Sequence, residues 1–237
     1  MSRGLIAAGA GLVIVVMAGI GGYVYFFSNL RSSPASLALT ASPPASPTAT
    51  GVGSDLAGTW TVTTGSQARY RVKELFVGQT AKHDAVAQTS GVSGSITVSG
   101  DASGYQATVI SVVADLTSLH SIDTVAGRDV TQRDGITSRQ LDVQQFPDAK
   151  FTASSASVPG TVTTSQVDVS VTGSLTIHDV TQPVTVTAKA QFVGGKIEIA
   201  GSVPINMADY GVSPPQVPFT TVDPAATIEF DIFLARA

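Results

Sequence analysis

Few side chains in this sequence can ligate a metal, move a proton or attack a substrate. There are three histidines, His83, His120 and His178, and no cysteine. The histidines form no H-x-H, H-x-x-x-H or H-E-x-x-H pair, so no metal centre is expected and all three read as surface or turn residues. His178-Asp179 sits at a strand end before a turn. The lack of cysteine excludes disulfides, thiolate ligands and a Cys nucleophile. Serine catalysis lacks its G-x-S-x-G elbow: the nearest string, Gly91-Val92-Ser93-Gly94, has the wrong spacing and precedes a strand. Gly9-Ala10-Gly11 is no phosphate loop, because it lies inside an apolar run and precedes no βαβ unit. Arg133-Asp134 reads as an ion pair that ties down a loop. Glu74 leaves two alternatives open. Either the strand bends at Leu75 and turns the carboxylate out, or Glu74 points inward and meets a polar group near a cavity mouth, since a buried carboxylate is costly alone. No catalytic residue and no cofactor is expected.

Most of the chain consists of the elements that carry these residues. Net charge is −4 and 13% of residues are charged, which excludes a dedicated nucleic-acid binder. From about residue 58 to 237 the apolar period is two, the period of half-buried strands. One face carries Tyr70, Val72 and Glu74. Others carry Val169, Val171, Leu175 and Ile177, then Val186 and Ala188, then Ile199 and Val203, then Phe230 and Ile232. Shorter strands fit Thr59–Thr63, Ser95–Val98, Tyr105–Val113 with Val109 inward, and Lys150–Ser154 with Phe151 inward. Turn signals such as Gly100-Asp101 and Gly194-Gly195 separate them. The expected fold is an all-β, antiparallel, lipocalin-like barrel of about eight to nine strands, favoured over a sandwich because closure removes exposed edges. The segment Asp123–Asp142 breaks the pattern and reads as a loop with one or two short helical turns over one barrel end. Small residues at Gly173, Ala188, Ala190 and Gly201 leave volume inside, so the lumen should hold an apolar ligand.

Residues 1–30 form a second region. Gly4–Phe27 carries no charge and, as a helix, would span about 36 Å against about 30 Å of hydrocarbon. It reads as an uncleaved signal anchor, with Tyr23, Tyr25, Phe26 and Phe27 at the interface and the N-terminus in the cytoplasm. Residues 31–57 are rich in Ser, Pro, Ala and Thr and read as a disordered, semi-stiff spacer. The expected order is anchor, stalk and extracytoplasmic head in the cell membrane.

Four stretches resemble the YceI-like family of bacterial envelope lipid-binding proteins. They are Trp60-Thr-Val with Ala68-Arg-Tyr-Arg-Val-Lys-Glu-Leu; Arg133-Asp134 with Leu141-Asp142, Phe146-Pro147 and Phe151; Gly173-Ser-Leu-Thr-Ile-His-Asp-Val-Thr-Gln-Pro-Val-Thr-Val; and Ile205-Asn206 to Tyr210-Gly211 followed by Thr227–Leu234. The resemblance implies an extended antiparallel barrel holding a long polyisoprenoid or similar amphiphile. Two positions depart from the common pattern: Glu74 stands where many members have His, and Met207 where many have Arg. The fused anchor also differs from freely secreted members. The expected function is a membrane-tethered binding protein for a long-chain apolar lipid (polyisoprenoid, isoprenoid quinone or fatty-acid-like), serving transport, storage or sequestration. The alternatives are an enzyme acting on such a lipid through Glu74 or His178, and a ligand-free structural or stress module.

Overall fold

A computed structural model of the chain describes residues 16–17, 31–40, 55–125 and 128–237. The expected membrane span, Gly4–Phe27, lies outside the described residues except for Val16 and Met17. Among the described residues no helix is long and apolar enough to cross a membrane.

The alternating segments form long antiparallel strands. In chain order they are β1 (Arg31–Ser32), β2 (Gly58–Val62), β3 (Gln67–Phe76), β4 (His83–Thr89), β5 (Val92–Asp101), β6 (Gly104–Asp115), β7 (His120–Ser121) and β8 (Thr124–Val125). After the helix α1 (Gln132–Gln140) come β9 (Asp148–Pro159), β10 (Val167–Ile177), β11 (Val180–Val193), β12 (Lys196–Asn206) and β13 (Thr220–Arg236). Strands β2, β5, β6, β9, β10, β11, β12 and β13 close into a ring, with β13 pairing to both β12 and β2. The 17-residue β13 is long enough for two partners on one edge: Leu234–Arg236 pair with β2, and Thr220–Asp231 with β3. Strands β4 and β7 extend this second wall. The β3 pairing slips between Val222 and Ala226, around Pro224, which has no amide hydrogen to donate.

Two hairpins show why register is fixed. Ile177 pairs with Val180, so His178 and Asp179 are themselves the two-residue turn, at φ of 52° and 60°. Val193 pairs with Lys196 across Gly194 and Gly195, at φ of 60° and 78°. Positive φ at both central residues matches the twist of the flanking strands. One end of the barrel is floored by Leu56, Trp60, Tyr105 and Val162. The Trp60 indole donates to Leu56 O (2.8 Å) and meets Phe192 edge-on.

The loop Asp123–Asp142 carries the expected short helix, the nine-residue α1. Other expectations need correction. Gly173 and Gly201 do not leave lumen volume. A Cβ on Gly173 would meet Thr152 O at 2.4 Å and the Phe151 ring at 2.6 Å, and one on Gly201 would meet Thr187 O at 2.4 Å, so both glycines allow close packing. Likewise, residues 31–40, within the segment read as a spacer, lie along the barrel. Arg31 pairs with Val125, Ser33 Oγ donates to Asp84 O (2.6 Å), and Arg71 donates to Pro34 O (2.9 Å). Farther along, Leu37 N donates to Glu229 Oε2 (3.3 Å), and Thr40 N and Oγ1 donate to Glu198 Oε1 (2.5 and 2.9 Å). This strap covers an outward patch where Glu198, Glu229 and Asp231 are buried.

Candidate functional site: a two-chambered lumen

The inward faces of the strands enclose two adjoining chambers. The inner chamber, of about 190 Å³, is lined by Ala, Val, Leu, Ile and Phe side chains plus Tyr105, with no charged residue. The outer chamber, of about 450 Å³, adds walls from β3, β4, α1 and the segment 205–222. Ala68, Ala114, Ala149, Leu175 and Ile228 line both, so the chambers meet at a waist. Exposed Arg128, Asp129, Ser213 and Phe219 line the outer chamber, which marks where it opens to solvent.

Most residues expected to face the lumen do so. Phe151, Val169, Val171, Val186, Ala188, Ile199, Val203, Phe230 and Ile232 line the inner chamber. Tyr70, Val72, Glu74 and Ile177 line the outer one, and Leu175 both. Val109 is the exception: it faces solvent, 70% exposed, at φ 49°. The β5–β6 register shifts there, with Ser95 opposite Ser111 but Thr97 opposite Thr108, so β6 carries one extra residue. This bulge puts Val109 outside and hands the inward positions to Ile110 and Val112. His178, tucked edge-on against Phe146, lines neither chamber.

The polar end of the lumen is built around Glu74, which points inward and is 1% exposed. Its strand partner is His83, buried rather than on the surface. His83 Nε2 lies 2.6 Å from Asp123 Oδ2; Arg133 Nη2 donates to the same oxygen at 2.5 Å, and Val86 N donates to Oδ1 at 3.1 Å. Arg133 Nη1 stands 3.4 Å from Glu74 Oε1. The Arg133-Asp134 ion pair is thus corrected. Arg133 bridges Asp123 and Glu74, and Asp134 instead accepts from Ser121 N and Oγ (2.9 and 2.7 Å), fastening α1 to β7.

Burial sets the electrostatics. It pushes the Glu74 carboxyl up, with Arg133 pulling the other way. Burial also acts upward on Asp123, but the hydrogen bonds from His83, Arg133 and Val86 outweigh it and hold that carboxyl below its ordinary value. Glu74, His83 and Asp123 offer one ligand atom each within 4.8 Å of one another. Arg133 pairs with both carboxylates, so a cation there would compete with its guanidinium for the same oxygens. Two buried polar atoms on the outer-chamber wall, Glu74 Oε1 and Tyr210 Oη, have no hydrogen-bond partner in the protein. Met207 adds an apolar surface to the same wall.

Sequence reasoning missed His83 and Asp123. The segment before α1 runs along the edge of β4, with Ile122 N donating to Val86 O and Val86 N donating to Asp123 Oδ1. That edge pairing joins residues distant in sequence, and no local pattern of side chains records it.

The family model for the YceI-like domain matches residues 60–234. A UPF0312 protein of Pseudomonas putida is 31% identical over 137 residues, which are 55% of this chain and 66% of that protein. One from Pseudomonas syringae pv. tomato is 29% identical over 139 residues, 56% of this chain and 67% of its own length. The chain spans about two thirds of the length of these relatives. Among solved structures, a polyisoprenoid binding domain from Saccharophagus degradans, implicated in plant cell wall breakdown, aligns with a TM-score of 0.51 at 16% identity. The alignment covers 76% of this chain and 99% of that one, and shows a shared fold.

Proposed function

We propose that this chain, which belongs to the YceI-like domain family, is a membrane-tethered extracytoplasmic carrier of a long-chain apolar lipid. The tether is the apolar run Gly4–Phe27. The cargo is a polyisoprenoid, an isoprenoid quinone or a fatty-acid-like amphiphile held for transport, storage or sequestration. One observation carries the reading: the inner chamber is walled without a single charged side chain and adjoins, at the waist, a larger chamber with polar groups. The tail takes the inner chamber, and the polar end lies near Tyr210 Oη, which has no hydrogen bond in the protein, and Glu74 Oε1, which is ion-paired to Arg133 but accepts no hydrogen bond.

Magnitudes favour tail over head. Each buried CH₂ contributes about 0.8 kcal/mol, so a few isoprene units exceed one headgroup hydrogen bond of about 0.5–1.5 kcal/mol. Freezing the tail's rotors offsets part of this. Selectivity therefore follows chain length and branching first, and headgroup second. The polyisoprenoid binding of the Saccharophagus degradans domain supports the same ligand class. An acid–base enzyme through His178 has no support, because that side chain lines neither chamber.

The test is lipid extraction from the purified full chain followed by mass spectrometry, beside uptake of a fluorescent polyprenyl probe. The wild type should yield a long-chain lipid. Ala188→Trp, which fills the inner chamber, should lower probe uptake by about tenfold or more, equivalent to losing roughly two buried methylenes. An empty wild-type protein that takes up no probe would overturn the reading.

A further inference from the structure

We infer that the mouth of the lumen sits on the bilayer that holds Gly4–Phe27, with Val77 and Phe219 as its apolar contact, so that lipid passes between membrane and lumen without crossing water. The inference rests on the tether proposed above and adds where the head stands.

Three independent observations meet at one end of the barrel. The first is where the tether docks. Arg31 pairs with Val125, and its guanidinium donates to Ala81 O (3.3 Å) in the turn between β3 and β4. Val125 bridges to Arg128, and Arg128 stands over the Phe76 ring at 4.3 Å while lining the outer chamber. From there the strap runs away from the mouth, past Arg71 and Glu229 to Glu198. The chain therefore comes from the anchor to the head at the open end.

The second is length. The charge-free run ends at Phe27, four residues before Arg31. Four residues reach at most about 14 Å when fully extended. The rest of the Ser/Pro/Ala/Thr segment cannot lengthen this reach, because residues 31–40 are already docked along the barrel wall. A head fixed this way lies on the bilayer surface, not at the end of a long stalk.

The third is the rim itself. Among the described residues of the barrel, three large apolar side chains are strongly exposed, and two of them stand here: Val77 at 69% and Phe219 at 48%. They are joined by Val77 N donating to Phe219 O (3.0 Å), and Phe219 also lines the outer chamber. The charges around them are mixed, with Arg31, Arg128 and Lys82 against Asp129 and Asp223, the last paired to Lys82 at 2.6 Å. Attraction to anionic lipid is thus not the driving term; a short tether and an apolar contact are.

The chain has no cysteine, so single labelling sites can be placed at will. In the full chain reconstituted in phosphatidylcholine nanodiscs, Gln216→Cys beside the rim and Ala102→Cys at the β5–β6 tip carry an environment-sensitive fluorophore. Lipid-borne nitroxide should quench the label at 216 about threefold more strongly than the label at 102, as for a site in the interface. Val77→Ser with Phe219→Ser, both at exposed positions, should lower quenching at 216 towards the value at 102. Equal quenching at both sites in a chain that co-purifies with the nanodisc overturns the orientation and leaves the tether standing. A chain that fails to associate with the nanodisc overturns the tether and this inference with it. Lipid content by mass spectrometry on the same samples reports the carrier reading separately.

Discussion

The two chambers are neighbours made by different means. The inner one is held by area: alternating aliphatic residues of ring strands, with Leu56, Tyr105 and Val162 at one end and no charge on its wall. The outer one is held by charge: Arg133 draws Asp123 and Glu74 together, and α1 is pinned through Asp134. Dispersion and burial are tolerant of the ligand's detail, whereas a hydrogen-bond network is not. On the proposed carrier reading, the pair would divide the labour of binding an amphiphile, with affinity in the apolar chamber and discrimination in the polar one.

That contrast can be attacked by mutation. Trp60→Ala leaves a cavity in the buried cluster that backs the inner chamber and removes the indole hydrogen bond, and should cost about 3–5 kcal/mol in denaturant unfolding. Arg133→Met leaves Asp123 and Glu74 buried without their cation, and should cost about 3 kcal/mol. Only the first should abolish tail binding in the fraction that folds; the second should alter headgroup preference, read by competition between lipids of equal chain length.

A third test lies on the outer face of the inner chamber's wall. Asp231 is fully buried under the strap with neither oxygen hydrogen-bonded. Burial and the neighbouring Glu198 push its carboxyl up to about 6, with Arg69 opposing. Between about pH 4 and pH 6 the folded chain keeps a proton here that the unfolded chain has lost, so this group lowers stability as pH rises through that window. Asp231→Asn should raise stability by about 2 kcal/mol near neutral pH and change it little below about pH 4, read from urea midpoints. The smallest effect belongs to Val109, a β-branched residue at φ 49° on an exposed bulge. Val109→Gly should stabilise by up to about 1 kcal/mol without altering probe uptake.

The difference between the chambers is also one of legibility. Leu175, Val186 and Phe230 could be placed inward from sequence because their strands are wet on one face, and alternation records that asymmetry. Val109 was misplaced because one extra residue in β6 reverses the alternation, and nothing in the side chains announces it. The mouth was harder still. His83 and Asp123 are 40 residues apart and meet because the segment before α1 runs along the edge of β4. The strap was invisible for another reason: Pro34 and Ala35 offer carbonyls and Leu37 its amide, and backbone groups are the same in every sequence.

The bond from Leu37 to Glu229 joins residues 192 positions apart. During translation, at roughly 5–20 residues per second, the strap waits on the order of 10–40 s before its partner strand leaves the ribosome. Residues 31–40 are thus made long before β13 exists to close the ring and receive the strap. Docking of the strap is therefore among the last steps of folding, and a chain truncated near its C-terminus would be left with both the barrel seam and the clasp undone.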